Sequence, residues 1–258
     1  MVDWIIHHGD GASASSLSFH CFIFLVKFMK NISYCTTCKG RLWQLKQTLP
    51  VNIKQTGDGV DIILLDYHSE DGLEDYIKAE YSEYLNDGRL KYYKIRTTLE
   101  GFDMAYAKHI THMLAGGDLL FNLDADNYIG STVDEMRTLP RDKILIPRIV
   151  NGTATARCGR VGISRLNYMR IGGYDIKMLG MQNDDGDLVH RAWVGGLRFV
   201  FSSDDTIPIE QSIEEKMKFI RTEQDYTCAT QVSVENWKGE VNELDLTHNV
   251  NVINRRKR

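Results

Sequence analysis

The chain has 258 residues, of which 43% are hydrophobic and 26% charged, as is typical of one globular domain with an ordinary core. The formal net charge of -4 gives no overall electrostatic footprint for nucleic acid, and only the basic tail at residues 255–258 leaves a nucleic-acid partner open. The chain has five cysteines, an odd number and few for its length. This argues against a disulfide scaffold and favours a reducing, cytoplasmic compartment.

The first 28 residues are expected to be an extension outside the folded domain. The apolar run at residues 19–28 is too short to span a bilayer and is interrupted by Lys27. It also lacks the basic start and the cleavage site of a signal peptide. We therefore expect no transmembrane segment and a single domain over residues 29–258.

Apolar runs of strand length alternate with helical spacing from residue 32 onward. The predicted strands cover residues 32–36, 60–65, 90–95, 119–123, 143–146 and 197–201. The predicted helices cover residues 42–49 (ended by Pro50), 73–84, 104–114 and 187–194, with a polar helical stretch at 213–220 before a low-pattern tail. This alternation predicts an α/β fold with a mostly parallel central sheet flanked by helices.

Two aspartates, Asp124 and Asp126, follow the fourth predicted strand. If the strand stays extended, residues at i and i+2 lie on the same side. Paired carboxylates at the end of a strand suit a hard divalent cation, and such a cation commonly bridges to phosphate. Two solvated aspartates that open a turn are the alternative.

Two further acidic segments follow other predicted elements. The loop after the second strand carries Asp66, Ser69 and Asp71, which could contact a nucleotide or simply cap the next helix. A glycine-rich turn at residues 172–175 precedes three acids in four positions at 184–187, and the helix dipole accounts for one or two of them. Ligands of parallel sheets bind at the carboxyl ends of strands, where these segments fall.

In this order, the motifs resemble those of glycosyltransferases with the GT-A fold, specifically family-2-like enzymes with a galactosyltransferase C-terminal-type motif. The likeness covers residues 31–201. The segments that carry it are the opening strand and turn at 32–41, the acidic loop at 66–71, Ala107-Lys108, the Asp-x-Asp strand at 123–127 and the stretch 172–188. Met181-Gln182 replaces the family's Trp-Gly, and Asp184 replaces its Glu.

The resemblance implies a Rossmann-like GT-A domain with a nucleotide-binding half at 29–130 and an acceptor and catalytic half at 131–258. It implies a metal-dependent, inverting hexosyl- or N-acetylhexosaminyltransferase that uses Mn²⁺ or Mg²⁺. The donor would be a nucleotide-diphosphate sugar, with UDP favoured, and the acceptor a hydroxyl of a carbohydrate or another molecule.

The resemblance also implies residue roles. The catalytic base would be Asp185, with Asp184 as the alternative base. The cation would be held by Asp126, Asp124 and His248. The implied donor-binding residues are Thr36, Arg41, Asp66, Ser69, Lys108 and Asp124. The implied acceptor-binding residues are Gly173, Tyr174, Asp184 and Arg191.

Two arginines and three alternative functions remain open. Arg157 and Arg160 could meet phosphate or lie in a solvated loop. A nucleotidyltransferase would need a glycine-rich basic loop after the first strand, and residues 36–41 contain one glycine. A phosphatase is disfavoured by Asn127-Tyr128 after the aspartates. A nucleotide-sugar or glycan binding module without catalysis stays open because of Met181-Gln182.

Overall fold

The computed structural model describes residues 30–96, 101–148, 159–178, 183–220 and 229–247. The described residues from Asn31 onward belong to one compact unit. The expected extension at residues 1–28 lies outside the described residues, and so does the basic tail.

Nine strands of the described chain form a single sheet in the order β7-β5-β6-β4-β1-β2-β3-β8-β9. Their bounds are Ile32–Cys38 (β1), Val60–Asp66 (β2), Leu90–Ile95 (β3), Leu119–Asn122 (β4), Lys143–Ile146 (β5), Gly162–Ser164 (β6), Arg198–Phe201 (β7), Gln231–Asn236 (β8) and Val241–Asp245 (β9). The central strands β4-β1-β2-β3 are parallel, as is the β5–β7 pair. Antiparallel pairs join β6 to β4 and β5, and the β8–β9 hairpin to β3. The predicted α/β class with a helix-flanked central sheet is confirmed.

The helices of the described chain are Leu42–Asn52 (α1), Leu73–Glu80 (α2), Ser82–Asn86 (α3), Met104–Leu114 (α4), Thr132–Thr138 (α5), Arg165–Ile171 (α6), Asp184–Val194 (α7) and Ile213–Met217 (α8). A 3₁₀ turn, Ile53–Gln55, follows α1. Pro50 lies inside the last turn of α1 and does not end it, which corrects the predicted stop. The predicted helix at 73–84 breaks at Tyr81 into α2 and α3.

The C-terminal hairpin is the largest element that the sequence patterns did not predict. Residues 229–247 were expected to be a low-pattern tail, yet β8 and β9 extend the sheet at β3. Val232 and Val234 are fully buried on one face of β8, and their polar neighbours point to the other face. The alternation typical of a strand was therefore present in the sequence, but only over a few residues. The short elements β6, α5 and α6 were also missed.

Cys35 and Cys38 are free, buried thiols in β1, as expected for small core residues. Residues three apart in an extended strand point to opposite faces and lie too far apart for a disulfide. Burial raises the pKa of the Cys38 thiol to about 12 and that of Cys35 well above its usual value. A redox role is therefore disfavoured.

Candidate active site

The aspartate pair after β4 lies in a turn and not in an extended strand. The strand ends at Asn122, and the backbone N–H of Asn127 donates to the Asp124 carbonyl at 2.9 Å. Helix α1 supports this turn, because the Thr48 hydroxyl donates to the Ala125 carbonyl at 2.8 Å. The turn, and not strand periodicity, places the two carboxylates together, which corrects the reason for pairing them.

Asp126 is a buried carboxylate with neutral hydrogen-bond donors. Its side chain accepts from Asn127 Nδ2 at 2.7 Å on Oδ1 and from Gln211 Nε2 at 2.9 Å on Oδ2. Burial and the neighbouring Asp124 carboxylate raise the pKa of Asp126, and Arg41 opposes this. The site therefore has an excess of negative charge that a cation would offset.

The side chain of Asp124 is about one third exposed, and it occupies space that is left open by a neighbouring glycine. Its Oδ1 accepts from Asn122 Nδ2 at 3.1 Å. A Cβ atom at Gly159 would lie 2.2 Å from Asp124 Oδ2. Glycine at this position therefore leaves the space that the carboxylate occupies.

Lys108 joins the aspartate turn to the acids of α7. Its Nζ lies 2.9 Å and 2.8 Å from the two oxygens of Asp185, 2.9 Å from Asp184 Oδ2 and 3.9 Å from Asp124 Oδ1. The contact with Asp184 is an ion pair without hydrogen-bond geometry. Although burial acts to lower the pKa of Lys108, these carboxylates raise it well above its usual value. One ammonium thus faces carboxylates from two separate motifs.

Asp185 has the most strongly shifted pKa among the acids of this group. Burial raises it to about 7, Lys108 opposes the shift, and Asp184 adds to it. The hydroxyl of Tyr174 donates to Asp185 Oδ1 at 2.9 Å. Such a carboxyl titrates near neutral pH and can accept a proton.

A buried aromatic cluster lies behind the acids. The Tyr168 hydroxyl is 2.9 Å from His109 Nδ1, and the Tyr168 ring stacks on His112 with centroids 4.9 Å apart. Burial lowers the pKa of His112 to about 4, so this imidazole is neutral at pH 7. Gly173 has φ of +64°, and a Cβ there would lie 2.5 Å from His109 Nδ1. The glycine at position 173 therefore allows the turn to pack closely against His109, and this turn carries the Tyr174 that hydrogen-bonds to Asp185.

Asp66 is fully buried at the end of β2 and supports its own loop. It accepts from the Ser69 backbone N–H at 2.7 Å and from the Tyr92 hydroxyl at 2.7 Å. Burial raises the pKa of Asp66, and these hydrogen bonds oppose the rise. Because Asp66 is fully buried, the predicted donor contact would require the loop around it to move.

The same loop also holds the turn between β1 and α1. Ser69 Oγ accepts from the Gly40 N–H at 3.1 Å, and Asp71 accepts from the Leu42 N–H at 2.8 Å. Gly40 needs its positive φ of +63°, and a Cβ there would lie 2.5 Å from the Phe219 ring. The acidic loop thus positions the turn that carries Arg41.

A cleft at the carboxyl ends of the central strands brings most of these groups together. Its lining residues are Thr37, Lys39, Arg41, Phe102, Met104, Lys108, Asp124, Ala125, Asp126, Gly159, Asp185, Gln211 and Lys216. Of the predicted site residues, the cleft includes Arg41, Lys108, Asp124, Asp126 and Asp185. Asp184 lies behind Lys108 and is 5% exposed.

Other predicted residues lie elsewhere. Thr36 is buried within β1, and its neighbour Thr37 lines the cleft in its place. Arg191 donates to Asp187 Oδ2 at 2.6 Å and 2.8 Å and to the Ile171 carbonyl at 2.9 Å, so it caps α6. These positions do not favour the donor and acceptor contacts predicted for Thr36 and Arg191.

Arg160 is buried and not part of a solvated loop, which corrects that expectation. Its guanidinium pairs with Asp204 at 2.7 Å and donates to the Ile129 carbonyl at 3.1 Å. Although burial of the carboxyl acts to raise it, the Ser131 backbone N–H and Arg160 together lower the pKa of Asp204 to about 2. Arg157, His248 and the Met181-Gln182 pair lie outside the described residues.

Besides Thr37, sequence patterns missed three polar residues of the cleft. Lys39 follows β1 directly and precedes Gly40, a position that could have marked it as part of a strand-end turn. Gln211 and Lys216 come from the segment around α8, where no motif marks them. Tertiary folding alone brings them to Asp126.

The described residues include no group of three or more histidine, cysteine or acidic side chains arranged to hold a metal ion. Asp124 and Asp126 nevertheless supply hard carboxylate oxygens on an open cleft, the donor chemistry that Mn²⁺ and Mg²⁺ accept. The raised pKa of the buried Asp126 beside Asp124 shows that added positive charge would be stabilised there. The residues present therefore fit a divalent cation.

Comparisons with known proteins identify the fold. No protein-family model and no curated protein matches the sequence. The structure is similar to the mannosyltransferase PcManGT from Pyrobaculum calidifontis in complex with GDP-Man and Mn²⁺, at 15% identity and a TM-score of 0.56, over 76% of this chain and 64% of that one. It is similar to S. aureus TarS 1-349 in complex with UDP-GlcNAc, at 14% identity and a TM-score of 0.53, over 74% and 62%.

A third similar structure is GalNAc-T7 with UDP, GalNAc and Mn²⁺, at 18% identity and a TM-score of 0.51, over 68% of this chain and 43% of that one. The chain spans less than two thirds of each of these proteins. These likenesses show that the chain has the GT-A glycosyltransferase fold. In the described part of the chain, no helix is both long enough and apolar enough to cross a membrane.

Proposed function

We propose that this protein is a metal-dependent glycosyltransferase that moves a hexosyl or N-acetylhexosaminyl group from a nucleotide-diphosphate sugar to an acceptor hydroxyl, with inversion. One observation carries this proposal. Asp126 and Asp185 both line the same cleft, where Lys108 lies 2.8 Å from Asp185 and 3.9 Å from Asp124. A cation site and a proton acceptor on one cleft are what this transfer requires.

The donor side of the cleft would bind the diphosphate. Lys39, Arg41 and Lys216 line the cleft and would supply positive charge to the diphosphate. Asp126 and Asp124 would hold Mn²⁺ or Mg²⁺, which as a Lewis acid offsets charge on the leaving diphosphate. UDP is favoured as the nucleotide because TarS and GalNAc-T7 were crystallised with UDP compounds, while PcManGT was crystallised with GDP-Man.

The acceptor side would be organised around Asp185. Its carboxylate accepts the proton of the acceptor hydroxyl while the acceptor oxygen bonds to the anomeric carbon and the bond to the diphosphate breaks. Tyr174 and Lys108 hold the carboxylate in place from two directions. The nearby Asp184 is the alternative base. The acceptor would be a carbohydrate or another molecule with a free hydroxyl, and the transfer would take place in the cytoplasm.

A non-catalytic binding module is the second candidate. Lys108 contacts both oxygens of Asp185 and opposes the rise in its pKa, which makes the carboxylate a weaker proton acceptor. The module would bind the nucleotide sugar in the same cleft without transfer.

Release of nucleotide separates the two candidates. The protein is mixed with Mn²⁺ and a panel of UDP- and GDP-sugars, with and without simple sugar acceptors, and free UDP or GDP is quantified. Metal-dependent release from at least one donor, absent in Asp185→Asn, supports the transferase. Tight donor binding without release from any donor would favour the module.

A further inference from the structure

Both oxygens of Asp126 are occupied by amide groups. Asn127 Nδ2 donates to Oδ1 at 2.7 Å, and Gln211 Nε2 donates to Oδ2 at 2.9 Å. Both donors are neutral, although Asp126 is 7% exposed and lies beside Asp124. A cation bound at Asp126 would therefore lie next to these two amides, and an amide that turns would present its oxygen to it.

Asn127 is fixed and cannot easily give way. It is 1% exposed, its backbone N–H donates to the Asp124 carbonyl at 2.9 Å, and its own carbonyl accepts from Asn52 Nδ2 at 3.0 Å. Asn127 does not line the cleft, so its enclosed side chain has no room to turn toward a cation there. Gln211 is half-buried and lines the open cleft, so its amide is the one that can turn.

The main chain around Gln211 is held beside the aspartate turn. The backbone N–H of Ile209 donates to the Asp126 carbonyl at 2.8 Å. On the other side, Ser212 begins α8 with a reciprocal capping box to Glu215. The Gln211 side chain is thus kept within reach of Asp126, while rotation about its terminal bond exchanges Nε2 for Oε1.

We propose that Gln211 is a third protein ligand of the cation, through its amide oxygen, together with Asp126 and Asp124. An amide oxygen is a hard, neutral donor of the kind that Mn²⁺ and Mg²⁺ accept. Within the described residues no third histidine, cysteine or acidic side chain joins the two aspartates, whereas Gln211 places an amide beside Asp126. This assignment rests on the metal site of the proposed function, and it gives Gln211 a role that no motif indicates.

Mn²⁺ binding without nucleotide or acceptor tests the assignment directly. Free Mn²⁺ is measured by electron paramagnetic resonance while the full-length protein is titrated. We expect Gln211→Ala to weaken Mn²⁺ binding about tenfold, as removal of a metal-orienting group does. Gln211→Glu should bind at least as tightly as the wild type, because a carboxylate oxygen replaces the amide oxygen. Gln47→Ala, a change at an exposed glutamine of α1, is the matched control and should bind as the wild type does.

The outcomes separate this assignment from the proposed function. If Asp126→Asn loses Mn²⁺ binding while Gln211→Ala binds as tightly as the wild type or more tightly, the metal site stands and Gln211 is not a ligand. If the wild-type protein binds no Mn²⁺, the metal dependence of the proposed function fails and the third ligand fails with it. Circular dichroism melting of each variant confirms that a loss of binding reflects the ligand and not unfolding.

Discussion

Replacing Lys108 by methionine removes the ammonium that compensates the acids of α7. The Lys108 side chain is 1% exposed, and those of Asp184 and Asp185 are 7% and 14% exposed. Loss of one partner from a buried ion pair costs about 3–5 kcal/mol, because the remaining charge stays desolvated. Since Asp185 lies on an open cleft, we expect Lys108→Met to lower the free energy of unfolding by about 3 kcal/mol.

Urea unfolding at pH 8, followed by circular dichroism, measures this loss. Lys78→Met is the control. The Lys78–Glu74 pair is an exposed i,i+4 pair with side chains 45% and 34% exposed, so its loss should cost about 0.5 kcal/mol. A loss below about 1 kcal/mol for Lys108→Met would refute the inference that Lys108 stabilises buried, ionised acids.

The loss of unfolding free energy caused by Lys108→Met should also depend on pH. Burial raises the pKa of Asp185 to about 7, and Lys108 opposes that rise, so its removal raises the pKa further. A carboxyl with a raised pKa in the folded state favours folding below its unfolded pKa of about 4, and this contribution is lost as pH rises through the folded-state pKa. The loss of unfolding free energy should therefore be largest above pH 7, where Asp185 is ionised in the wild type, and smaller at pH 5, where it is protonated. An equal loss at both pH values would contradict this account.

Three further predictions concern the acid site and its support. Asp185→Asn should keep donor binding while turnover falls by about 10²–10⁴-fold, measured by calorimetry and nucleotide release; near-normal turnover would move the base role elsewhere. The wild-type turnover rate should fall as pH drops through about 7, where Asp185 takes up a proton, and a rate that is flat down to pH 5 would argue against Asp185 as the base. Gly173→Ala should lower the free energy of unfolding by about 1–3 kcal/mol, because its Cβ would lie 2.5 Å from His109 Nδ1 at a positive φ. Gly196→Ala, at a glycine with a positive φ but open space around it, should cost less in the same urea unfolding experiment.

The sequence allowed prediction of the sheet core and of the acids that reach the cleft. Continuous apolar runs mark strands buried on both faces, as in β2, where Ile63, Leu64 and Leu65 are fully buried. The acids after β4 could be placed because ligands gather at strand ends in such sheets. Helix α4 was predicted with its observed bounds because its pattern is long and periodic.

Other parts of the site depend on contacts that no local pattern encodes. Lys108 and Asp185 are 77 residues apart, and Gln211 is 85 residues from Asp126. An acidic loop residue such as Asp66 can bind a ligand or support a turn, and only its buried partners favour the second role. Short strands such as β6 carry too few residues for periodicity to show.

Calorimetric titration of UDP with and without Mn²⁺, for the wild type and Asp126→Asn, tests the central claim most directly. We expect Mn²⁺ to strengthen UDP binding by the wild type and Asp126→Asn to lose this effect, because Asp126 is the buried carboxylate of the proposed cation site. Asp61→Asn is a control, since Asp61 pairs with Lys91 away from the cleft. Equal, Mn²⁺-dependent UDP affinity in the wild type and in Asp126→Asn would contradict the account.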